Sequence, residues 1–228
     1  MKTTLQQLPL LLQKKLDSAY WLASDEVFLQ KTAADLIRSK AQQQGFLNRQ
    51  VLQVDTHFNW EEVFALCMQR SLFTHRLLLE LHVLTAKLSE DDKKALAKLQ
   101  TLLHPDLCVL MLTAKIETAS QKAKWFNALL TPFCFVPIWP IAASQYSSWV
   151  QARSGFHQVQ LDDNALQILC EKTLGHTLAA DQFLQQLKLL YGSARITRDH
   201  VQELVHDAAQ TDLFAFVDIF LMNNVQHT

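Results

Sequence analysis

Short apolar runs recur along roughly the first 140 residues, and segments with helical periodicity separate them. The predicted strands are residues 19–23, 51–54, 76–83, 107–113 and 133–138. The predicted helices are one capped by Asp25 and ended by Gly45, followed by residues 59–68, 89–103 and 121–130. Strands buried on both faces and joined by helices form parallel sheets. The pattern therefore predicts an α/β fold with a five-stranded parallel sheet and helices on both faces.

The pattern changes after Pro140, where helical periodicity alone continues. The predicted helices are residues 146–152, 163–174, 177–191 and 197–209. We therefore predict three regions: an α/β domain over residues 1–142, a small all-helical domain over 143–210, and the start of a further region over 211–228. The last region is strongly apolar at helical spacing, which is typical of a helix that packs against something that follows it.

Composition narrows the classes of function. Hydrophobic residues make up 49% of the chain and charged residues 19%, which supplies a packed core and excludes intrinsic disorder. The net charge is -1, so the chain as a whole lacks the positive charge that would attract phosphate groups. The cysteines lie far apart and lack the spacing of zinc or disulfide frameworks, which predicts buried free thiols in a reducing compartment. They are Cys67, Cys108, Cys134 and Cys170.

The apolar runs do not predict a targeting or membrane segment. The run from Leu8 to Leu12 is too short for a signal peptide, and Lys14 and Lys15 follow it rather than precede it. The stretch from Leu129 to Ala143 is interrupted by prolines and is too short to span a bilayer. We therefore predict a cytoplasmic protein with no membrane partner.

The turn after the first predicted strand is where a phosphate-binding loop belongs, yet it reads Ala23-Ser24-Asp25-Glu26-Val27. It has neither a glycine nor a Lys-Ser/Thr pair, and its two carboxylates repel a triphosphate. The hydrophobic strand 107–113 leads into Ala114 and Lys115 instead of an acidic pair for Mg²⁺. The sequence also lacks dinucleotide-binding, nucleophile-elbow and zinc-protease motifs. It therefore predicts no catalytic residue, no cofactor and no metal site.

One segment combines polar flanks with two large apolar side chains. Between the predicted helix ending at Met68 and the strand beginning at Arg76 stand Gln69, Arg70, Ser71, Leu72 and Phe73. Adjacent residues of an extended segment point in opposite directions, so one sheet face does not easily bury both Leu72 and Phe73. The two side chains either tuck under the domain edge or form a protruding anchor for a partner's pocket.

The order of elements, the glycine-free first turn and the phrase Cys67-Met68-Gln69-Arg70-Ser71-Leu72-Phe73 resemble the delta subunit of the bacterial DNA polymerase III clamp loader. Further segments that resemble this family are Asn59-Trp60 to Leu66, Ala123-Lys124-Trp125-Phe126, Trp149-Val150-Gln151-Ala152-Arg153, and Val201 to Ala209 followed by Phe214 to Met222. The sister delta-prime subunit is a poorer match, because its zinc cysteine cluster and Ser-Arg-Cys motif are not found.

This resemblance implies an AAA+-like domain without nucleotide, a helical lid domain and a helical collar that begins where this sequence ends. It also implies a non-catalytic subunit that binds the sliding clamp (the beta subunit) through Gln69, Arg70, Ser71, Leu72 and Phe73. The implied partners are the gamma/tau motor subunits, delta-prime and, weakly within the complex, primer-template DNA. Leu72 and Phe73 are the implied anchors in the clamp's pocket.

Two other functions stay open on the residues alone. The first is a doubly wound enzyme or small-molecule-binding protein with a pocket at the carboxyl ends of the strands. The second is a direct DNA binder that uses surface lysines, although solvated helix faces explain these lysines better. They are Lys93, Lys94, Lys98, Lys122 and Lys124.

Overall fold

The computed structural model describes residues 1–68, 76–84 and 87–210. The chain divides into two compact units, Met1–Trp139 and a second that begins at Pro140. This division falls three residues before the predicted end of the α/β domain at residue 142. The predicted functional regions 1–142, 143–210 and 211–228 stay predictions.

The first unit alternates strands and helices around one sheet. Its elements are α1 (Leu8–Lys14), β1 (Ala19–Ala23), α2 (Val27–Gln43), β2 (Asn48–Val54), α3 (Trp60–Met68), β3 (Leu77–Val83), α4 (Glu90–Thr101), β4 (Leu107–Thr113), α5 (Thr118–Gln121), α6 (Lys124–Leu130) and β5 (Cys134–Pro137). The strand order is β2-β3-β4-β1-β5, and every pairing is parallel. The predicted five-stranded parallel sheet is confirmed.

Trp21 lies fully buried in the core, on β1, which pairs with β4 on one side and β5 on the other. Every residue of β1 is buried, as expected for a strand covered on both faces. Trp21 pairs with Met111 in the register and packs against the rings of Phe126, Phe133 and Phe135 at centroid distances of 5.1, 6.2 and 5.5 Å. This aromatic cluster joins α6 to the sheet.

Helices cover both faces of the sheet. Leu79 and Leu81 belong to a core cluster with α3, α4 and α6, whereas Glu80 between them bonds to Arg38 of α2. Successive strand residues point to opposite faces, so α2 lies on the face opposite to α3, α4 and α6. Gly45 ends α2 with φ of +87°, a left-handed conformation that glycine adopts without strain, as predicted.

The N-terminal residues extend the sheet beyond β5. Lys2 forms a parallel bridge with Phe135, and the Thr3 amide donates to the Phe135 carbonyl at 2.9 Å. α1 follows, with Pro9 in its first turn, where the missing proline N–H leaves no intrahelical bond unmade. This helix was not predicted from the sequence.

The second unit is mainly helical. Its elements are α7 (Ala143–Phe156), β6 (Gln160–Leu161), α8 (Asp163–Thr173), α9 (Thr177–Tyr191), β7 (Arg195–Ile196) and α10 (Arg198–Gln210). Tyr146, Val150, Leu169 and Leu184 are fully or almost fully buried in its core. The short parallel pair β6 and β7 was not predicted, so the expectation that helical patterns alone follow Pro140 was wrong in this detail.

Candidate functional site

The turn between β1 and α2 is fastened by its own side chains. The Ser24 hydroxyl donates to the carbonyl of Ile138 at 3.1 Å and accepts the Glu26 amide at 2.9 Å. Asp25 accepts the backbone amide of Lys115, which follows β4, at 3.0 Å. The prediction that Asp25 caps α2 was wrong, because the cap position is Glu26 and the Asp25 carboxylate is used by the neighbouring loop.

A glutamine side chain bridges the carboxyl ends of β1 and β4. Gln30 of α2 donates its side-chain amide to the carbonyls of Leu22 at 3.1 Å and Thr113 at 2.8 Å. The indole nitrogen of Trp21 donates to the Thr113 hydroxyl at 3.0 Å. Sheets of this kind bind ligands at the carboxyl ends of their strands. In this chain, the side chains of Gln30 and Trp21 bond to backbone carbonyls and a hydroxyl at that edge.

A cleft of about 570 Å³ opens at the opposite edge, next to the amino ends of the strands. It is lined by residues that precede β1, β2, β3 and β4, among them Ser18, Phe46, Arg76 and His104. This location differs from the one expected for an enzyme or a small-molecule-binding protein of the doubly wound class. This cleft therefore does not support the pocket alternative.

The five residues predicted to bind the clamp lie outside the described residues. α3 ends at Met68, and the description resumes at Arg76, immediately before β3. The predicted exposure of Gln69, Arg70, Ser71, Leu72 and Phe73 thus stays a prediction.

The residues on both sides of this segment are held by contacts within the first unit. On the helix side, Val63, Phe64 and Cys67 are buried in the core, whereas the side chain of Met68 is 60% exposed. On the strand side, Arg76 donates to the carbonyl of Gln44 at 2.7 Å. The segment is therefore bounded by α3 and β3, both of which pack into one core.

Three of the five lysines considered for DNA binding form ion pairs. Lys93 pairs with Glu90 at 2.5 Å, Lys94 with Asp91 at 3.2 Å and Lys98 with Glu61 at 3.3 Å. Lys93 also lies over the ring of Trp125 and Lys98 over that of Phe64, contacts that the sequence did not predict. Phe64 is buried and Trp125 is half-buried, so neither ring is an open platform for stacking bases.

Three cysteines of the first unit are buried in the core. Burial raises the pKa of the Cys67 thiol to about 11, of Cys108 to about 12 and of Cys134 to about 11. These thiols stay protonated near neutral pH and are therefore poor nucleophiles and metal ligands. Across residues 1–68, 76–84 and 87–210, no group of three or more histidine, cysteine or acidic residues is placed to hold a metal ion.

Within the same described part of the chain, no helix has both the length and the apolar character needed to cross a membrane.

The family model for DNA polymerase III, delta subunit, matches residues 20–138, which include the whole sheet except the first residue of β1. The chain belongs to the DNA polymerase III delta subunit family. It is 34% identical over 217 residues to DNA polymerase III subunit delta of Escherichia coli K12, an alignment that covers 95% of this chain and 63% of the relative. It is 27% identical to the same subunit of Haemophilus influenzae, covering 92% of this chain and 62% of the relative.

Solved structures agree with this assignment at the level of the fold. The DNA clamp loader delta protein of Bacillus subtilis superposes with a TM-score of 0.65 at 17% identity, covering 96% of this chain and 72% of that one. A point mutant of Thermotoga maritima RuvB superposes with a TM-score of 0.52 at 12% identity, covering 90% and 67%. The AAA+-like fold predicted from the resemblance to the delta subunit is confirmed. The chain spans less than two thirds of the length of its curated delta relatives.

Proposed function

We propose that this chain is a cytoplasmic, non-catalytic clamp-loader subunit of the DNA polymerase III holoenzyme. It binds the ring-shaped sliding clamp, the beta subunit, and holds the ring open for loading onto primed DNA. Membership of the delta family supports the proposal. The observation that carries it is that α3 and β3, the elements that flank residues 69–73 in the sequence, pack into one core.

The proposed contact is a small hydrophobic anchor. Leu72 and Phe73 enter an apolar pocket on the clamp, while Gln69, Arg70 and Ser71 shape the approach. Burial of one leucine and one phenylalanine side chain gives about 3–5 kcal/mol gross. If the anchor binds the open ring more tightly than the closed ring, this difference shifts the ring toward opening.

No nucleotide chemistry is assigned to this chain. The turn at Ser24–Glu26 offers carboxylates where a triphosphate needs backbone amides and a lysine. Gln30 bonds to carbonyl groups at the adjoining carboxyl ends of β1 and β4. ATP acts through the neighbouring gamma/tau motor subunits, and delta-prime completes the assembly. Primer-template DNA contacts this chain weakly within the complex.

The test is a double substitution, Leu72→Ala with Phe73→Ala. We expect it to abolish binding to the cognate clamp in a surface-binding assay and to leave the circular dichroism spectrum unchanged. The matched control is Val27→Ala with Leu47→Ala, since both residues are exposed apolar side chains of the same unit. Clamp affinity equal to that of the unsubstituted chain in the Leu72/Phe73 variant would contradict the proposed site.

A titration with ATP and common cofactors tests the alternative of a small-molecule-binding protein. We expect no saturable binding to this chain. Saturable binding that Gln30→Ala alters would favour a ligand at the carboxyl edge of the sheet.

A further inference from the structure

The loop between α4 and β4 contacts both sides of the gap between α3 and β3. On the helix side, Nε2 of His104 lies 3.2 Å from the carbonyl oxygen of Cys67, in the last turn of α3. On the strand side, the amide of Leu77 donates to the carbonyl of Asp106 at 2.9 Å. Residues 104–106 therefore hold the last turn of α3 and the first residue of β3 together.

The hydrogen bonds of His104 define its tautomer. Nδ1 accepts the backbone amide of Asp106 at 3.3 Å, so this nitrogen carries no proton. Nε2 then carries the proton, which it donates to the carbonyl of Cys67. His104 thus supplies a hydrogen-bond donor to a carbonyl in the last described turn of α3.

Arg76 strengthens the strand side of the same arrangement. Its guanidinium pairs with the carboxylate of Asp106 at 3.4 Å, donates to the carbonyl of Gln44 at 2.7 Å and lies over the ring of Phe46 at 5.5 Å. The side chain thus bonds to the loops that precede β2 and β4. Arg76, the residue immediately before β3, is therefore held by contacts with two different loops.

We propose that His104 and Arg76 are positioning residues for clamp binding. They fix the separation and direction of the two chain ends from which residues 69–75 extend, and this inference rests on the proposed function of that segment. A segment whose ends are fixed loses less conformational entropy when it binds, so the same anchor residues bind more tightly. The imidazole does not need to touch the clamp to have this effect.

The experiment compares His104→Ala with His104→Gln in the full chain. The glutamine amide is able to donate to the Cys67 carbonyl, whereas alanine is not. We expect His104→Ala to weaken affinity for the cognate clamp by about threefold to tenfold, and His104→Gln to recover most of it. Hydrogen exchange of the free chain should be faster between residues 67 and 77 in His104→Ala alone. The control is His57→Ala, an exposed histidine beyond the carboxyl end of β2.

Two different variants test the positioning role and the proposed function, so the two can fail separately. If Leu72→Ala with Phe73→Ala keeps full clamp affinity, the proposed function is wrong. If that variant loses binding while a folded His104→Ala binds within twofold of the unsubstituted chain, the positioning role is wrong. Should His104→Ala not fold, Arg76→Ala takes its place with Arg76→Lys as its conservative partner, and unchanged affinity in Arg76→Ala also overturns the inference.

Discussion

Arg38 of α2 and Glu80 of β3 form a bidentate ion pair on the face of the sheet opposite to the aromatic core. Nε of Arg38 donates to Oε1 of Glu80 at 2.8 Å, and an Nη nitrogen donates to Oε2 at 2.7 Å. The side chain of Glu80 is fully buried, and Arg49 of β2 bonds to the same carboxylate. The pair therefore ties α2 to the β2–β3 half of the sheet.

Removal of either arginine tests how the carboxylate is held. The side chain of Arg38 is 20% exposed and that of Arg49 is 47% exposed. Because solvent screens the Arg49 contact more, we expect Arg38→Ala to lower the free energy of unfolding by about 2–4 kcal/mol and Arg49→Ala by less than half of this. Urea unfolding followed by circular dichroism measures both. Equal losses in the two variants would contradict this ranking.

The same carboxylate predicts a dependence of stability on pH. Burial by itself raises the pKa of Glu80, but the hydrogen bonds from Arg38 and Arg49 outweigh it and lower the pKa from 4.5 to about 2. The stabilisation, about 3 kcal/mol, is therefore present above the unfolded-state pKa of 4.5 and is lost as the pH falls toward 2.

The measurement is the difference in unfolding free energy between the unsubstituted chain and Glu80→Gln from pH 7 to pH 3. We expect this difference to shrink below pH 4.5. Glu62→Gln is the control, because Glu62 is exposed in the first turn of α3. A difference that does not change with pH would show that the charge of Glu80 contributes no stability.

A third prediction concerns the start of α4, where Ser89 and Asp92 form a capping box. The Ser89 hydroxyl accepts the Asp92 amide at 3.0 Å, and the Asp92 carboxylate accepts the Ser89 amide at 2.8 Å. Asp92 also accepts the indole N–H of Trp60 at 3.0 Å. We expect Ser89→Ala to cost about 1 kcal/mol and Asp92→Ala about 2 kcal/mol, since the latter also leaves the Trp60 donor unsatisfied.

Thermal unfolding measures both changes. The matched control is Asp91→Ala, which removes an exposed carboxylate from the same helical turn. A larger loss in Asp91→Ala than in Asp92→Ala would show that helix-dipole electrostatics, rather than the capping box, stabilises this end.

Strands were predicted best where burial sets their composition. β1 and β4 have the predicted bounds because nearly all of their residues are buried and apolar. β2 begins at Asn48, whereas the predicted strand begins at residue 51. The prediction missed Asn48, Arg49 and Gln50 because these residues are exposed and carry no hydrophobic pattern. Their backbone pairing with β3 is a tertiary property that the local sequence does not encode.

Side-chain partners far apart in the sequence were not predictable. Asp25 has the chemistry of a helix cap and stands one residue before the cap position at Glu26, yet its carboxylate accepts the amide of Lys115, 90 residues away. The contacts of Gln30 and His104 are of the same kind, since only the assembled sheet brings their partners near. The candidate site itself rests on the sequence resemblance, because residues 69–73 lie outside the described part of the chain.

The last prediction concerns Asp181, a buried carboxylate in α9 of the second unit. It accepts hydrogen bonds from the guanidinium of Arg153, from Nε2 of His157 at 2.6 Å and from the side-chain amide of Gln185 at 2.6 Å. Burial raises the pKa of Asp181, but the bonds from Arg153 and His157 outweigh this effect and lower it. The carboxylate thus joins α7 and the residue that follows it to α9.

Replacement of Asp181 by alanine removes the acceptor that the half-buried side chains of Arg153 and His157 share. We expect Asp181→Ala to lower the free energy of unfolding of the second unit by about 3–5 kcal/mol. Asp181→Asn should cost less, because the amide oxygen still accepts one bond although the charge is lost. Gln182→Ala, an exposed neighbour on the same helix, is the control, and denaturant unfolding of the chain is the measurement. Equal unfolding midpoints for Asp181→Ala and Gln182→Ala would mean that this cluster does not stabilise the unit.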